Sequence, residues 1–572
     1  MRRTSKSFAI MFSVLMIVTA FAGCTQTTQP TTTTAKAADV QTSTPAPSDK
    51  ATESPTEASI ASTESPAEAP TQAPAELSGT ITINTQAGPG AKEAWDAAAK
   101  GYMVKHPKVN VIVDLKPAEG YAEWIQGMFG TTNPTADLVN INLAGPASTG
   151  KNINFMEYAN LNSPYSKGLW TDQFNFEMQG KDLARNEWTN ISLESVQVLW
   201  CYNKDIFEKA GLQPPKTWDE FATVCAQLKT AGYQPLAVAG DFNSFWSMQM
   251  GWLAQIYADQ TTRSMLDVYR AQKGDYNYDP DMDSTFKLNV KDPFNDDAWK
   301  VNQNPVRAFK AIKDGVYKPD SVGTKTVWTN FAKLFPKYAG GDAFFGTKDS
   351  LPLFYQGKAA IFLDGAWRLA QFKRDMDLLT AGKEIVGGDQ KKIDGVKQFK
   401  LGTFNMPSMS GDGIEAPART IEVAVGFIGA VKKDKAHDDL VVDFLMYYSS
   451  SEGFGLYMTG GLDAGWTPAG PPLVKGVVLP VQYSDLFKDL QFIGNSQKGF
   501  GQMVARGAPG DVQQSLRDWY GYSQQFLIGK ITVDQWATQH KANIMKYFND
   551  ALKASKINPT DLDNPQNAPT GK

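Results

Sequence analysis

Beyond residue 79 the chain predicts an α/β fold of more than one lobe, with a mostly parallel sheet covered by helices. Strand and helix patterns alternate from Gly79 onward, the chain is 572 residues long, and 42% of it is hydrophobic. That length points to more than one structural lobe. The alternation calls for parallel strands joined by helices.

The elements follow in order. Gly79-Thr80-Ile81-Thr82-Ile83-Asn84 reads as an alternating strand that breaks at Gly88-Pro89-Gly90. An Ala-rich helix runs from Ala91 to about Lys105, with Trp95, Ala98, Ala99 and Tyr102 at helical spacing, and His106-Pro107 stops it. Val109–Val113 is the next strand, Tyr121–Phe129 a helix, and Ala136–Ile141 the third strand. In open α/β sheets the ligand site lies beyond the carboxyl ends of the strands. That rule singles out Gln86, Ala87 and Gly88 after the first strand and Asn140 and Asn142 after the third.

The N-terminus reads differently. Arg2, Arg3 and Lys6 precede an apolar run from Phe8 to Ala22, shorter than the roughly 20 residues a spanning helix needs. It is expected to be a signal peptide over residues 1–23. Phe21-Ala22-Gly23-Cys24 resembles the lipobox of bacterial lipoproteins, with Phe21 at the usually aliphatic position. That resemblance implies lipidation of Cys24. Residues 24–78 are rich in Thr, Pro, Ala, Ser and Glu and lack aromatic side chains. Such a segment cannot bury enough apolar area to become ordered, so a tether is expected. No later apolar run is long enough to span a membrane. Cys201 and Cys225 are expected to be two buried thiols.

Two blocks carry a family resemblance. Leu199–Leu212, with Tyr202-Asn203-Lys204-Asp205, continues into Pro214–Phe221, where Thr217 is a helix cap followed by acids. Gln356–Trp367 contains Asp364-Gly365-Ala366-Trp367, and Val425–Ala430 precedes a helix from His437 to Tyr448. Together these resemble the bacterial extracellular solute-binding proteins that include maltose-binding protein, over residues 79 to about 555. The resemblance implies a two-lobed periplasmic-binding-protein-like fold with hinge strands and a cleft. Lobe 1 is expected at about 79–193 and 420–460 and lobe 2 at about 197–415 and 465–560. An insertion is expected at about 260–350 and a flexible tail at 561–572. It further implies that the lobes close over a solute, which passes to the permease of an ABC importer.

A sugar offers apolar faces and a rim of hydroxyls, so rings and well-placed polar groups must meet it. Trp367 follows the strand Ala359–Leu363, with Asp364 just before it, and the resemblance implies that it stacks on ligand. The loop with Asp241, Asn243 and Trp246 matches another contact region of the family. Trp466 is a candidate from its Gly-rich loop, Gly460–Trp466; Trp188 and Glu194 are candidates because they precede the first crossing between lobes. Trp95 and Trp218 are expected in the core.

Other functions find less support. A pI of about 5.7 and the absence of a basic stripe argue against nucleic acid as partner. His106, His437 and His540 are the only histidines, and no His-Glu-x-x-His, Gly-x-Ser-x-Gly or phosphate-loop motif occurs. An anchored glycoside hydrolase needs two carboxylates flanking a bond, and no local signature picks out a pair. The acids Asp279, Asp281 and Asp283 have alternating spacing, but Ser284 replaces the glycine of a calcium loop, so a solvated acidic loop is expected. The expectation is a monomeric, non-enzymatic binding protein without cofactor or metal, taking a carbohydrate. A sensor on the same fold and a binder of another solute are the alternatives.

Overall fold

Alternation in Gly79–Ile83 buries Ile81 and Ile83 on one face of the first strand, and this strand organises the first half of the fold. The computed structural model describes residues 76–181, 186–385 and 392–571. The expected signal peptide, Cys24 and nearly all of the tether lie outside the described residues. Nine strands are described: β1 (Gly79–Ile83), β2 (Val109–Val113), β3 (Leu138–Asn140), β4 (Glu194–Asn203), β5 (Gln234–Ala237), β6 (Ala359–Gly365), β7 (Leu401–Phe404), β8 (Glu422–Val425) and β9 (Ile428–Ala430). They form two sheets, β2-β1-β3-β9 and β5-β6-β4-β7, with β8 pairing to β4.

In the first sheet β1 pairs in parallel with β2 and β3 through the helices Ala91–Lys105 and Tyr121–Gly130. Its core gathers Trp95, Tyr102, Trp170, Trp188 and Tyr448. The second core gathers Trp200, Trp218, Phe331, Trp519 and Trp536 around β4, β5 and β6. His540 is buried there, stacked 4.8 Å from Trp536.

One strand belongs to both lobes. All of β4 is buried, as a strand covered on both faces must be. Glu194–Gln197 pair with β8, while Val198–Asn203 pair with β6 and β7. The chain therefore passes from lobe 1 to lobe 2 along β4 and returns through β8 into β9. It crosses again after Val474, which is in the first core, towards Leu490, which packs on lobe 2. Trp466 and residues 473–487, assigned by the expected boundaries to lobe 2, pack instead on the first core through Leu479, Tyr483 and Phe487.

The glycines at 460 and 461 also differ from expectation. They belong to the helix Ser451–Asp463, not to a loop. A Cβ on Gly460 would stand 2.8 Å from Ala97 Cβ and from Glu93 O, so glycine lets this helix press against Ala91–Lys105.

Within the insertion, Val306, Phe309 and Ile312 form a third core with Phe500, Val504 and Phe548. Its acids have structural partners: Asp275 accepts from Arg307 (2.6 Å), and Asp283 accepts from the Asn302 backbone (2.8 Å). The C-terminal residues expected as a flexible tail are packed. Leu562 is buried, Thr570 donates to Asp561 (2.6 Å), and Asn304 donates to the Pro565 carbonyl (2.8 Å). Polar sequence hid these long-range bonds. Cys201 and Cys225 are unpaired, and burial pushes both thiols up. Among the described residues no helix is long and apolar enough to cross a membrane.

Candidate functional site

A cleft of about 650 Å³ lies where the two lobes face each other. Its first wall starts at the carboxyl end of β1. Asn140, at the end of β3, accepts from the Gln86 backbone N–H (2.8 Å) and donates to the Gly426 carbonyl (3.1 Å). Its side chain thus fixes the loop that presents Gln86, Gly88 and Pro89 to the cleft. Beside this loop stands a group of rings. Trp95 stacks on Tyr448 at 4.6 Å, Tyr457 meets both edge-on, and Trp466 meets Tyr457 at 5.3 Å and 80°. All four reach the cleft lining, and Trp466 is the half-buried one.

The opposite wall is ionic. The helix Trp367–Thr380 follows β6 and sends Arg368, Gln371, Arg374 and Asp375 to the cleft. Arg368 donates to Asp364 (2.7 Å) and to the Tyr355 hydroxyl (3.2 Å). Asp375 accepts from Tyr355 (2.8 Å) on one oxygen and from Arg374 (2.9 Å) on the other. The two guanidinium charges are therefore matched by Asp364 and Asp375. Arg374 also reaches across to the Gly465 carbonyl of lobe 1 (3.5 Å).

Glu194 sits on β4 where the walls meet. One of its oxygens accepts from the Ala469 backbone (2.7 Å), and the residue lines the cleft. Burial raises its carboxyl from 4.5 to about 7, against the lowering effect of the Ala469 bond.

Of the residues singled out from sequence, Gln86, Ala87, Gly88, Asn140, Glu194 and Trp466 come together at the cleft. Asp364 stands behind it as the partner of Arg368. The others lie outside the lining. Trp367 is half-buried, edge-on to Trp252 at 6.2 Å, and packs on Val196, Val423 and Val425 at the crossing strands. Trp246 is in the short helix Phe242–Ser247, not a loop; Asp241 caps that helix through Ser244 (3.3 Å), and Asn243 is exposed. Asn142 is exposed on the turn after β3. Trp188 is wholly buried, 5.1 Å from Trp170, so no solute reaches it without unfolding.

Sequence reasoning missed Tyr448, Tyr457, Arg368, Gln371, Arg374 and Asp375. The last four had a signal: Arg368, Gln371, Arg374 and Asp375 recur at helical spacing along one helix. Trp95 was expected in the core and is there, at 2% exposed, yet it also borders the cleft. Among the described residues no cluster of three or more His, Cys, Asp or Glu side chains could hold a metal.

Two lobes joined by crossing strands, with a cleft between them, define a solute-binding protein. The chain belongs to the bacterial extracellular solute-binding protein family, whose sequence profile matches residues 87–453. It is similar to two uncharacterized ABC transporter extracellular-binding proteins of Pyrococcus horikoshii. One is 31% identical over 28% of this chain and 37% of its own length, and the other 26% identical over 26% and 34%. The matched region thus spans about a third of each relative. Solved structures that align with the chain include apo RafE of Streptococcus pneumoniae (TM-score 0.49, 15% identity, 82% of this chain and 98% of that one). The cyclic alpha-maltosyl-1,6-maltose binding protein of Arthrobacter globiformis also aligns (TM-score 0.48, 14% identity, 83% and 100%).

Proposed function

We propose that this protein captures a neutral carbohydrate in the cleft and delivers it to the membrane permease of an ABC importer, held at the membrane by a lipid on Cys24. One observation carries the choice of ligand: the cleft sets a ring-lined wall against a wall whose charges are already paired. An anionic solute would need an unmatched cation, and both arginines are committed to carboxylates. A hydroxyl-rich, uncharged solute suits such a site. Its C–H faces lie on Trp466 and neighbouring rings, and its hydroxyls bond to Gln86, Glu194, Gln371 and the free N–H groups of Arg374.

The mechanism is closure about β4 and β8. Solute held on one wall gains the contacts of the other only when the lobes approach, so it favours the closed arrangement by that difference in affinity. Closure then presents both lobes together to the permease.

Intrinsic tryptophan fluorescence and melting scans against neutral oligosaccharides test the reading. Saturable fluorescence change with a raised melting temperature supports it, because a ligand that prefers the native state stabilises it by mass action. A response to anionic or amino-acid solutes alone would replace carbohydrate with that class. Release of cleaved sugar would replace binding with hydrolysis. For the anchor, Cys24→Ser is expected to move the protein from the membrane fraction to the medium; unchanged fractionation would remove the lipid from the proposal.

A further inference from the structure

Residues 292–300 of the insertion make a contact between the lobes that the cleft does not use. The root of this segment is fixed beside a crossing strand. Arg419, 1% exposed and three residues before β8, donates to Asp296 (2.6 and 2.9 Å) and to the Pro293 carbonyl (3.0 Å). Its remaining donors bind Asp259 of lobe 2 (2.5 and 2.9 Å). Further along, Lys498 pairs with Asp297 (2.5 Å), and the Lys498 carbonyl accepts from Gln303 (3.0 Å). The segment is thereby tied to lobe 2.

Its far end touches lobe 1. The Trp299 ring lies 5.3 Å from Phe176 at 41°, and Phe176 in turn packs edge-on against Trp188 of the first core at 5.0 Å. Lys181 Nζ caps both rings, 3.8 Å from the Trp299 centroid and 4.0 Å from the Phe176 centroid, and donates to the Phe176 carbonyl. Burial pushes the Lys181 amine down to about 6, so at neutral pH this contact rests on packing more than on charge. Rotation about β4 and β8 carries Phe176 and Lys181 with lobe 1 while Arg419 holds the root of the segment. The contact must then break or slide.

We propose that Trp299 is a latch, whose contact with Phe176 and Lys181 holds the lobes in the relative orientation described. The equilibrium between lobe orientations is then set outside the cleft as well as inside it. An aromatic contact of this kind shifts a two-state population by roughly fivefold.

The test needs no solute. In the full chain carrying Cys24→Ser, spin labels at Lys100→Cys and Gln227→Cys, both exposed helix positions on opposite lobes, report the interlobe distance distribution. Cys201 and Cys225 are buried and stay unlabelled. Trp299→Ala is expected to enlarge a second distance population roughly fivefold, whereas Lys181→Met, which keeps the packing, preserves the parent distribution. Phe176→Leu removes the same contact from the other lobe and is expected to reproduce Trp299→Ala, so a folding failure of either variant leaves the other to decide. A parent-like distribution in a cooperatively melting Trp299→Ala or Phe176→Leu protein would overturn the latch.

Discussion

The two walls of the cleft are built for different tolerances. On lobe 1 the rings of Trp95, Tyr448 and Tyr457 belong to the hydrophobic core and border the cleft, while Trp466 stands half-buried against Tyr457. On lobe 2 the cleft surface is itself a buried ion network: Asp364 and Asp375 are 5% and 2% exposed and depend on Arg368 and Arg374 for partners. Lobe 1 can lose its outermost ring without leaving anything unsatisfied. Lobe 2 cannot lose an arginine on the same terms, because the carboxylates left behind would be buried and unpaired. Affinity and stability are therefore separable on the first wall and entangled on the second.

The largest expected effect tests that entanglement. Arg368→Ala leaves Asp364 without its partner and should cost about 3–5 kcal/mol of stability, read by urea unfolding, along with any solute response. A loss below about 1 kcal/mol would mean that water enters and repairs the network, and the contrast between the walls would fail.

Glu194, where the walls meet, gives the next effect. Its carboxyl is raised from 4.5 to about 7 by burial, so between those values the folded state holds a proton that the unfolded chain releases. Its contribution is then most favourable below about pH 4.5, is lost as pH rises towards 7, and is flat above, a span of about 3 kcal/mol. Glu194→Gln should remove this part of the pH dependence of melting and raise the melting temperature at pH 8. An unchanged profile would show that Glu194 is solvated.

Trp466→Ala is expected to weaken carbohydrate binding about tenfold, with unfolding changed by under about 1 kcal/mol. Equal losses in both would place Trp466 with the core rings and erase the difference between the walls.

How much of this was legible in the sequence follows the same division. The β1–β3 alternation and the helices between them were readable because each strand and helix carries its own period. The end of β3 led to Asn140 by a rule about strand ends rather than by any motif. The crossing of β4 was implied by resemblance, yet its split pairing was hidden, because a strand buried on both faces shows no alternation. Gly460 and Gly461 read as loop residues, since close approach of two helices and a turn require the same residue type. Trp367 and Trp246 could be located in their elements, but which way a ring faces depends on neighbours such as Trp252 that are distant in sequence. The latch was invisible for the same reason: Phe176, Lys181, Trp299 and Arg419 come together only through the tertiary fold.

The smallest expected effect sharpens the boundary of the site. Asn140 and Asn142 stand two residues apart after the same strand, and strand-end reasoning treats them alike. In the structure Asn140 holds the Gln86 loop and the Gly426 carbonyl, whereas Asn142 is exposed and outside the cleft lining. Asn142→Ala should therefore leave melting within about 0.5 kcal/mol of the parent and solute response unchanged. Asn140→Ala should strand a backbone N–H and a carbonyl, costing about 1–3 kcal/mol, and weaken binding by loosening the loop. Titrating both variants with the same oligosaccharide checks the distinction. Equal losses would extend the site past the end of β3 onto the turn that follows, and equal silence would remove the Gln86 loop from it.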